Sequence, residues 1–385
     1  MRLNRIIYMV FLLLAAATAA VYGRPVSYAV LYSLILLPLI TLGGALLFEK
    51  RLAISQSFDK NEAVKGETVR FTLEIRNNGI FFFPYIKFFF MNENEFALRC
   101  EQFRKNSLTA EARPGKTAKT ELDVLCKYRG VYQFGFTRYE IYDSLGLFKL
   151  KRKAADSIDI KVFPTLREMD GLRFSLRQET AEQSAAPIKE EDFTNIADFK
   201  KYEPSDSFKR IHWKLTAKKN ELMVKEFQSD AAAAALFLLD TNKPSGDKEK
   251  SCVLEDMLVE NVVSAVNLCA GAMTAFKLVY VEGGEVKTLD SLALGFPEVY
   301  SRMAGLKFEE SYDFAALAEG AVHAQEGETS AVVISSRLDA GMYELLRGLK
   351  ALGNEVIFIN SVLEPDGAQA LIKRNLLEDG IICYE

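Results

Sequence analysis

Two uncharged apolar segments near the N-terminus constrain the fold of this chain more than any other feature. They run from Ile6 to Tyr22 and from Val26 to Phe48. Each is long enough to cross a membrane as a helix, because about 20 apolar residues span the hydrocarbon core of a bilayer. Only the tripeptide GRP separates them. The sequence therefore predicts, within residues 1–51, a transmembrane hairpin with helices at about 6–22 and 26–48.

The charges that flank the hairpin predict its orientation. Arg2 and Arg5 precede the first segment, Lys50 and Arg51 follow the second, and only Arg24 lies between them. Basic residues concentrate on the cytoplasmic side of membrane helices. The sequence therefore predicts a multi-pass membrane protein with its soluble domains in the cytoplasm.

A cleavable signal peptide is the alternative interpretation, because Ala-Thr-Ala at 17–19 is typical of a cleavage site. Cleavage there leaves one helix and the same orientation, so both interpretations place residues 52–385 in the cytoplasm. The five cysteines have no paired spacing, which favours reduced thiols over a disulfide framework.

Composition argues against one class of function. The chain has 385 residues and a formal net charge of −4, whereas nucleic-acid binding usually requires a basic face across a domain. We therefore expect no nucleic-acid partner. Hydrophobic residues make up 49% of the chain, which is enough for sizeable cores in two or three domains.

Residues 52–165 have the pattern of a β domain. The stretch ETVRFTLEIRNNG alternates apolar and polar residues up to a turn at Asn77–Gly79. Several such strands predict an antiparallel β-sandwich of immunoglobulin-like size. The run IFFFPYIKFFF at 80–90 contains Pro84 and Lys87 and is too short to span a bilayer. We interpret it as a pair of buried strands.

Residues 231–385 alternate strands with helices. The first strand, AAAAALFLLD, ends in Asp240, and later apolar strands are separated by segments of helical period. This alternation predicts a Rossmann-like α/β domain, a parallel sheet with helices on both faces. Residues 166–230 form a polar linker and a motif segment between the two domains.

Two segments carry a longer pattern. The first contains R-G-x-Y and a turn of the type D-P-x-G-L-F, matched by Arg129, Gly130, Tyr132, Asp143, Gly146, Leu147 and Phe148. The second is R-x-Y-x-x-G-D-x-x-R-x-I-x-W-K followed by L-x-V-K, matched by Tyr202, Asp206, Arg210, Ile211, Trp213, Lys214, Leu222, Val224 and Lys225. In these segments the chain resembles the bacterial family called domain of unknown function 58. Ser144 and Ser205 depart from it, standing where the family has Pro and Gly.

The resemblance implies a C-terminal domain similar to von Willebrand factor A domains and gives no enzymatic activity. It also implies a protein partner, because members are typically encoded beside MoxR-type AAA+ ATPases and transglutaminase-like membrane proteins. Factor A domains bind a divalent metal through D-x-S-x-S after their first strand. Here that strand ends Asp240-Thr241-Asn242-Lys243-Pro244, and a later one ends Ser335-Ser336-Arg337. We expect a degenerate site at Asp240, Asn242 and Ser336 that holds no Mg²⁺, and no cofactor.

The segment 199–227 carries eight basic and four acidic residues around Trp213, the only tryptophan. One interpretation is a docking face for an anion or a protein. The other, which we favour for Tyr202, Asp206, Arg210 and Trp213, is a structural joint between the domains, since a buried aromatic with matched charges is usually architectural. Contact with anionic lipid is a third interpretation.

The sequence contains only two histidines, His212 and His323, and no G-x-x-x-x-G-K-[ST], G-x-S-x-G or H-E-x-x-H motif. We therefore expect no catalytic residues. The predicted function is a membrane-anchored, non-enzymatic scaffold that binds a partner, the MoxR-type ATPase, in envelope maintenance or complex assembly. The alternatives are a Mg²⁺-dependent binding module and a cysteine-type hydrolase.

Overall fold

The computed structural model describes residues 2–91, 96–100, 107–154, 157–169, 171–172, 196–201, 216, 221, 223–227, 235–244, 246–272, 274–291, 293–308, 311–325, 330–363 and 367–384. The chain divides into two compact units. The N-terminal unit is Met1–Thr165 and the C-terminal unit is Leu166–Glu385.

The N-terminal unit begins with two long helices, α1 (Arg2–Tyr22) and α2 (Pro25–Phe48). Both are long and apolar enough to cross a membrane by length and composition, so the prediction of two apolar helices is confirmed. Gly23, between the helices, has a φ of +56°. Pro25 begins α2, a position where the backbone N–H that proline lacks would have no partner within the helix. The Tyr8 hydroxyl donates to the carbonyl of Leu34, which ties the two helices together. A 3-10 turn, Glu49–Arg51, leads directly from α2 into the first strand.

The part of the N-terminal unit that the structure describes continues with the strands β1 (Leu52–Phe58), β2 (Glu62–Val64), β3 (Thr68–Asn77), β4 (Phe83–Phe90), β5 (Leu98–Arg99), β6 (Ser107–Ala112), β7 (Thr117–Cys126), β8 (Gly130–Phe134), β9 (Phe136–Tyr142), β10 (Lys149–Lys153) and β11 (Ile158–Phe163). They form two four-stranded antiparallel sheets, β1-β3-β7-β5 and β10-β9-β4-β6. A smaller sheet, β2-β11-β8, completes the unit.

One apolar core joins the two larger sheets. Strand β3 buries every second residue, as the alternation predicted: Val69, Phe71, Leu73 and Ile75. The Phe71 ring lies edge-on to Phe134, with 4.9 Å between the ring centroids. Such edge contacts are favourable geometry for aromatic pairs. The expectation of multiple antiparallel sheets is confirmed, and the immunoglobulin-like topology stays a prediction.

The expectation of two strands at 80–90 is wrong. The residues form one strand, β4, which begins only at Phe83. Pro84 cannot donate to a sheet ladder, and the pairing of β4 with β6 shifts register between Phe83 and Ile86. The residues before Phe83 form a loop instead.

In the described residues of the C-terminal unit we distinguish eight strands and five helices of ten or more residues. The strands are β12 (Ile196–Lys201), β13 (Met223–Phe227), β14 (Ala235–Leu239), β15 (Phe276–Glu282), β16 (Glu285–Asp290), β17 (Ser330–Ser335), β18 (Glu355–Asn360) and β19 (Ile382–Tyr384). The helices are α3 (Lys248–Gly271), α4 (Phe296–Gly305), α5 (Phe314–His323), α6 (Ala340–Ala351) and α7 (Gly367–Glu378). Strands β12 and β13 pair antiparallel with each other.

The other six strands form one sheet in the order β16-β15-β14-β17-β18-β19, parallel except for β16. All five residues of β14 are buried. Phe237 and Leu239 face a core with helices α3 and α4, whereas Leu236 and Leu238 face a core with α5, α6 and α7. A continuous apolar strand is therefore covered by helices on both faces.

The order of strands reverses at β14. The chain passes from β14 through α3 to β15 on one side, and later returns to β17 on the other side. Ligands of open α/β sheets bind at the carboxyl ends of strands beside such a reversal. The carboxyl ends of β14 and β17 therefore mark the part of this unit where a site is expected.

Candidate functional site at the carboxyl edge of the six-stranded sheet

Strands β14 and β17 bring two distant segments together at the carboxyl edge of the sheet. Asp240 follows β14 directly, and its backbone N–H donates to the carbonyl of Ile334 at 2.9 Å. Ser335 ends β17, and Arg337 follows it by two residues. Because the strands are parallel neighbours, their last side chains meet at one place.

Asp240 lies at the centre of this site and is only 2% exposed. Its Oδ2 accepts hydrogen bonds from Ser335 Oγ at 2.7 Å, from Arg337 Nη2 at 2.9 Å and from Arg337 Nε at 3.1 Å. Its Oδ1 accepts from the backbone N and the Nδ2 of Asn242, at 3.1 and 2.9 Å. A carboxylate offers about four lone-pair directions, so these five donors saturate it.

Asn242 and Tyr312 hold the loop after β14 in place. Asn242 Oδ1 accepts from the backbone N of Tyr312 at 2.7 Å, and Asn242 Nδ2 donates to the carbonyl of Tyr312 at 3.2 Å. The Tyr312 hydroxyl accepts from the backbone N of Thr241 at 2.9 Å. Burial raises the pKa of Tyr312 to about 12, so its hydroxyl stays neutral near pH 7 and acts here as a structural group.

The donor set at this edge does not suit a divalent cation. Magnesium and calcium require six or more oxygen ligands, whereas the buried carboxylate of Asp240 is already occupied by Arg337. Lys243 is exposed beside it and adds a second positive charge, and Pro244 has no side-chain oxygen. Among the residues that the structure describes, no group of three or more His, Cys, Asp or Glu could hold a metal ion.

One predicted site residue needs correction. The structure brings Asp240 and Asn242 together as expected, but the serine bonded to Asp240 is Ser335, at 2.7 Å, and not Ser336. Ser335 is the last residue of β17 and is fully buried, whereas Ser336 lies outside the strand. Sequence reasoning did not identify Arg337 as a partner of Asp240. The ion pair could have been predicted from the sequence, because Asp240 and Arg337 each follow the end of a buried strand.

The turn-motif residues lie in the N-terminal unit, where each has a local structural role. Gly130 has a φ of +148°, and a Cβ there would lie 2.7 Å from the Tyr132 ring. The Tyr132 hydroxyl donates to the carbonyl of the buried Arg129 at 2.5 Å. In the R-G-x-Y pattern, the tyrosine side chain therefore packs over the glycine and bonds to the backbone of the arginine.

Asp143 organises the turn between β9 and β10. Its Oδ1 accepts from the backbone N of Phe148 at 2.7 Å, and its Oδ2 accepts from the backbone N of Leu145 at 3.3 Å. Gly146 donates to the carbonyl of Asp143 at 2.9 Å and has a φ of +67°. The left-handed conformation explains why this position favours glycine.

The same turn contacts both apolar helices. Arg5 Nε donates to the carbonyl of Leu147 at 2.8 Å, and Thr41 Oγ1 lies 3.4 Å from Asp143 Oδ2. The Asp143–Phe148 turn therefore fixes the helical hairpin to the β-sheets of the N-terminal unit.

The second motif segment is largely outside the described residues. Tyr202, Asp206, Arg210, Trp213 and Lys214 all lie there, so both interpretations of the segment stay open. Lys225 lies on β13, opposite Phe199 of β12.

A family model supports the resemblance found in the motifs. The model of a protein family of unknown function, DUF58, matches residues 198–274. The chain resembles this family. An uncharacterized protein of Bacillus subtilis (strain 168), YeaD, is 24% identical over 243 residues, which is 60% of this chain. The chain spans 59% of the length of that protein.

Two solved structures are each similar to less than a third of the chain. A CARDB domain of the PF1109 protein from Pyrococcus furiosus, in complex with di-metal ions, covers 29% of this chain at 10% identity, with 91% of that domain matched and a TM-score of 0.20. A cohesin module from a Clostridium perfringens family 33 glycoside hydrolase covers 28% at 13% identity, with 96% of the module matched and a TM-score of 0.22. Likenesses of this size carry no argument about ligands or function.

Proposed function

We propose that this protein is a membrane-anchored, non-enzymatic scaffold whose C-terminal unit binds a protein partner at the carboxyl edge of the six-stranded sheet. The observation that carries the proposal is the saturation of Asp240 by Arg337, Ser335 and Asn242. A saturated carboxylate is neither a free base nor a metal ligand. The position where open α/β sheets bind ligands therefore presents a preformed surface, which suits recognition better than catalysis.

The charge of this edge indicates the chemistry of the partner. The Arg337 side chain is 46% exposed although it bonds to Asp240, and Lys243 is exposed nearby. These two cations can pair with acidic groups of a partner and accelerate association. Three exposed carboxylates at the same edge instead cap the helices α3, α5 and α6: Asp247, Asp313 and Asp339. We therefore propose that the partner presents carboxylates to this edge.

The order of strands and the two helical layers support a von Willebrand factor A-like, Rossmann-like assignment of residues 231–385. In this assignment Arg337 replaces the metal as the positive charge beside Asp240. The resemblance to the domain of unknown function 58 family supports a MoxR-type AAA+ ATPase as the partner, in envelope maintenance or complex assembly.

The helices α1 and α2 are the proposed anchor in the bacterial cell membrane. The basic residues at the open end of the hairpin support a cytoplasmic location of both units. An alkaline phosphatase fused to the C-terminus, which is active only outside the cytoplasm, should show no activity. Strong activity would contradict this orientation.

Binding to the ATPase tests the proposed partner. The full-length protein in nanodiscs is immobilised, and the MoxR-type ATPase encoded nearest to its gene is passed over it with nucleotide. We expect saturable binding that weakens as the salt concentration rises, because exposed charges are screened by salt. Binding to empty nanodiscs at the same level, or no binding, would contradict the proposal.

The two alternative functions can be tested on the same sample. For a Mg²⁺-dependent module, calorimetric titration of Mg²⁺ should give saturable heat that Asp240→Asn abolishes; we expect none. For a cysteine-type hydrolase, a thiol must ionise readily. Burial raises the pKa of Cys126 to about 11 and also raises the pKa of Cys252. We therefore expect slow reaction of both thiols with an electrophilic probe at pH 7.

A further inference from the structure

A loop of the N-terminal unit exposes large apolar side chains next to the end of α2. Ile80 is 81% exposed and Phe82 is 39% exposed. On the adjoining last turn of α2, Leu47 is 75% exposed. Exposed apolar residues that gather in one place mark an interaction surface more often than isolated ones do.

The loop is packed against α2, so it cannot move away from the helix without breaking these contacts. The Phe81 ring stacks on Phe48, with centroids 6.2 Å apart and planes within 3°. A Cβ on Gly44 would lie 2.3 Å from Phe81 Cε2, so only glycine admits the ring there. The backbone N of Asn78 donates to the carbonyl of Arg51 at 3.0 Å. The position of the loop along α2 is therefore defined.

Polar contacts along the hairpin set the depth of this loop. Arg5 and Thr41, on opposite helices, both contact the Asp143–Phe148 turn. They mark the level at which the apolar hairpin meets polar groups. Gly44 lies three residues beyond Thr41, about 4.5 Å further along the helix axis. With the boundary of the hydrocarbon core at Arg5 and Thr41, which ends the second span before Phe48, a loop packed on Gly44 would lie at the level of lipid headgroups.

Cations surround the apolar side chains at the same end of the sheets. Lys50 and Arg51 follow α2, and Arg76 is the second-last residue of β3, just before the loop. All three are exposed. Lys116 is exposed on a neighbouring turn, whose carbonyl accepts from the backbone N of Asn77 at 3.1 Å. Apolar residues ringed by Lys and Arg suit an anionic lipid surface.

We propose that this loop is a second membrane contact, in which Ile80 and Phe82 enter the headgroup layer and Arg76 and Lys116 bind anionic headgroups. The occupant is lipid because the loop is continuous with α2 and lies at headgroup level. This inference rests on the proposed anchor, since the depth of the loop is defined by the hairpin.

Tryptophan reporters test the contact in the full-length protein. Ile80→Trp and Phe82→Trp are reconstituted in vesicles of phosphatidylcholine and phosphatidylglycerol with brominated acyl chains, which quench tryptophan at short range. Emission of the wild type, which contains only Trp213, is subtracted. We expect the added emission to fall at least about twofold relative to unbrominated vesicles, as for a side chain inserted at the acyl boundary.

Val64→Trp is the matched control, because Val64 is 40% exposed, as Phe82 is 39% exposed. It precedes β3 at the opposite end from Asn77, about 30 Å away along a ten-residue strand. Leu13→Trp, in the middle of α1, reports whether the hairpin itself is in the bilayer. Quenching at Leu13→Trp with none at positions 80 and 82 would overturn the second contact. No quenching at Leu13→Trp would overturn the anchor and the contact that rests on it.

A charge test separates the two parts of the contact. In the Phe82→Trp background, Arg76→Gln and Lys116→Gln should remove most of the dependence of quenching on the phosphatidylglycerol fraction. Lys50 and Arg51 are left unchanged because they also determine orientation. Quenching that is independent of phosphatidylglycerol before these substitutions would overturn the anionic-headgroup assignment.

Discussion

The Arg337 guanidinium occupies one oxygen of the buried Asp240 carboxylate, with Nη2 and Nε at 2.9 and 3.1 Å from Oδ2. The two residues are 97 positions apart in sequence and meet because β14 and β17 are parallel neighbours. A buried carboxylate requires a compensating charge, and here that charge belongs to the chain itself.

We expect Arg337→Gln to destabilise the C-terminal unit by about 3 kcal/mol, at the lower end of the range for breaking a buried ion pair. The lower end applies because Ser335 and Asn242 still bond to Asp240. Denaturant unfolding of the detergent-solubilised protein gives the value. Arg374→Gln is the control, since its i,i+4 pair with Glu378 is exposed and should contribute less than about 0.5 kcal/mol. Equal, small effects of both substitutions would contradict the structural role of Arg337.

Tyr312 predicts a specific loss of stability at high pH. Its folded-state pKa is raised from 10.0 to about 12 by burial. A raised pKa stabilises the fold fully below the unfolded value, and this stabilisation is lost as the pH rises through the folded value. We expect Tyr312→Phe to be less stable than wild type at pH 9, and the difference to shrink between pH 10 and 12. A difference that stays constant up to pH 12 would show that Tyr312 does not titrate in this way.

Comparing alanine substitutions at two glycines of the N-terminal unit distinguishes the cost of backbone strain from the cost of a side-chain clash. Gly146 and Gly115 have φ values of +67° and +65°, so alanine at either costs about 1–2 kcal/mol from the left-handed conformation. A Cβ at Gly146 would also lie 2.6 Å from Asn4 Nδ2, whereas nothing lies within 4 Å at Gly115. We expect Gly146→Ala to lower the melting temperature more than Gly115→Ala.

Adding Asn4→Ala to Gly146→Ala should recover the excess loss, because it removes the clashing atoms. The double variant is compared with Asn4→Ala alone. If Asn4→Ala brings no recovery, the contact between the turn and α1 is not responsible for the difference.

The structural-joint interpretation of the segment 199–227 predicts which substitutions destabilise the protein. If the segment is the structural joint, Arg210→Ala and Trp213→Ala should impair folding, because removing a buried tryptophan costs about 3–5 kcal/mol and breaking a buried ion pair costs a similar amount. Lys218→Ala and Lys219→Ala should be neutral within about 0.5 kcal/mol, as ordinary surface changes are. Variants at Arg210 and Trp213 that melt like wild type but fail to bind the partner would make the segment a docking face.

Hydrophobic pattern predicted those parts of the fold that depend on neighbours in sequence. The alternation around Phe71 gave a half-buried strand, and the unbroken apolar run before Asp240 gave a strand buried on both faces. The same reasoning failed at 80–90, because the pattern of nine apolar residues there does not show where Pro84 prevents pairing. There the loop residue Ile80 points outward.

The contacts of the site could not be predicted in the same way. Asp240 was recognisable as the residue after a buried strand, but its partners depend on which strand lies beside β14. The bond between Tyr312 and Thr241, and that between Thr41 and Asp143, also join segments that no local pattern relates. Ser335 and Ser336 were indistinguishable until the end of β17 was known.

Reversal of one rim charge tests the central claim most directly. The affinity of the MoxR-type ATPase is measured for the full-length protein in nanodiscs, for Lys243→Glu and for Lys287→Glu. Lys243 is exposed at the carboxyl edge. Lys287 lies on edge strand β16, where its side chain is 41% exposed and pairs with Glu285. Partner binding at this edge predicts about tenfold weaker binding for Lys243→Glu, or about 1.4 kcal/mol, and no more than about twofold change for Lys287→Glu. Equal affinity for all three proteins would contradict the account.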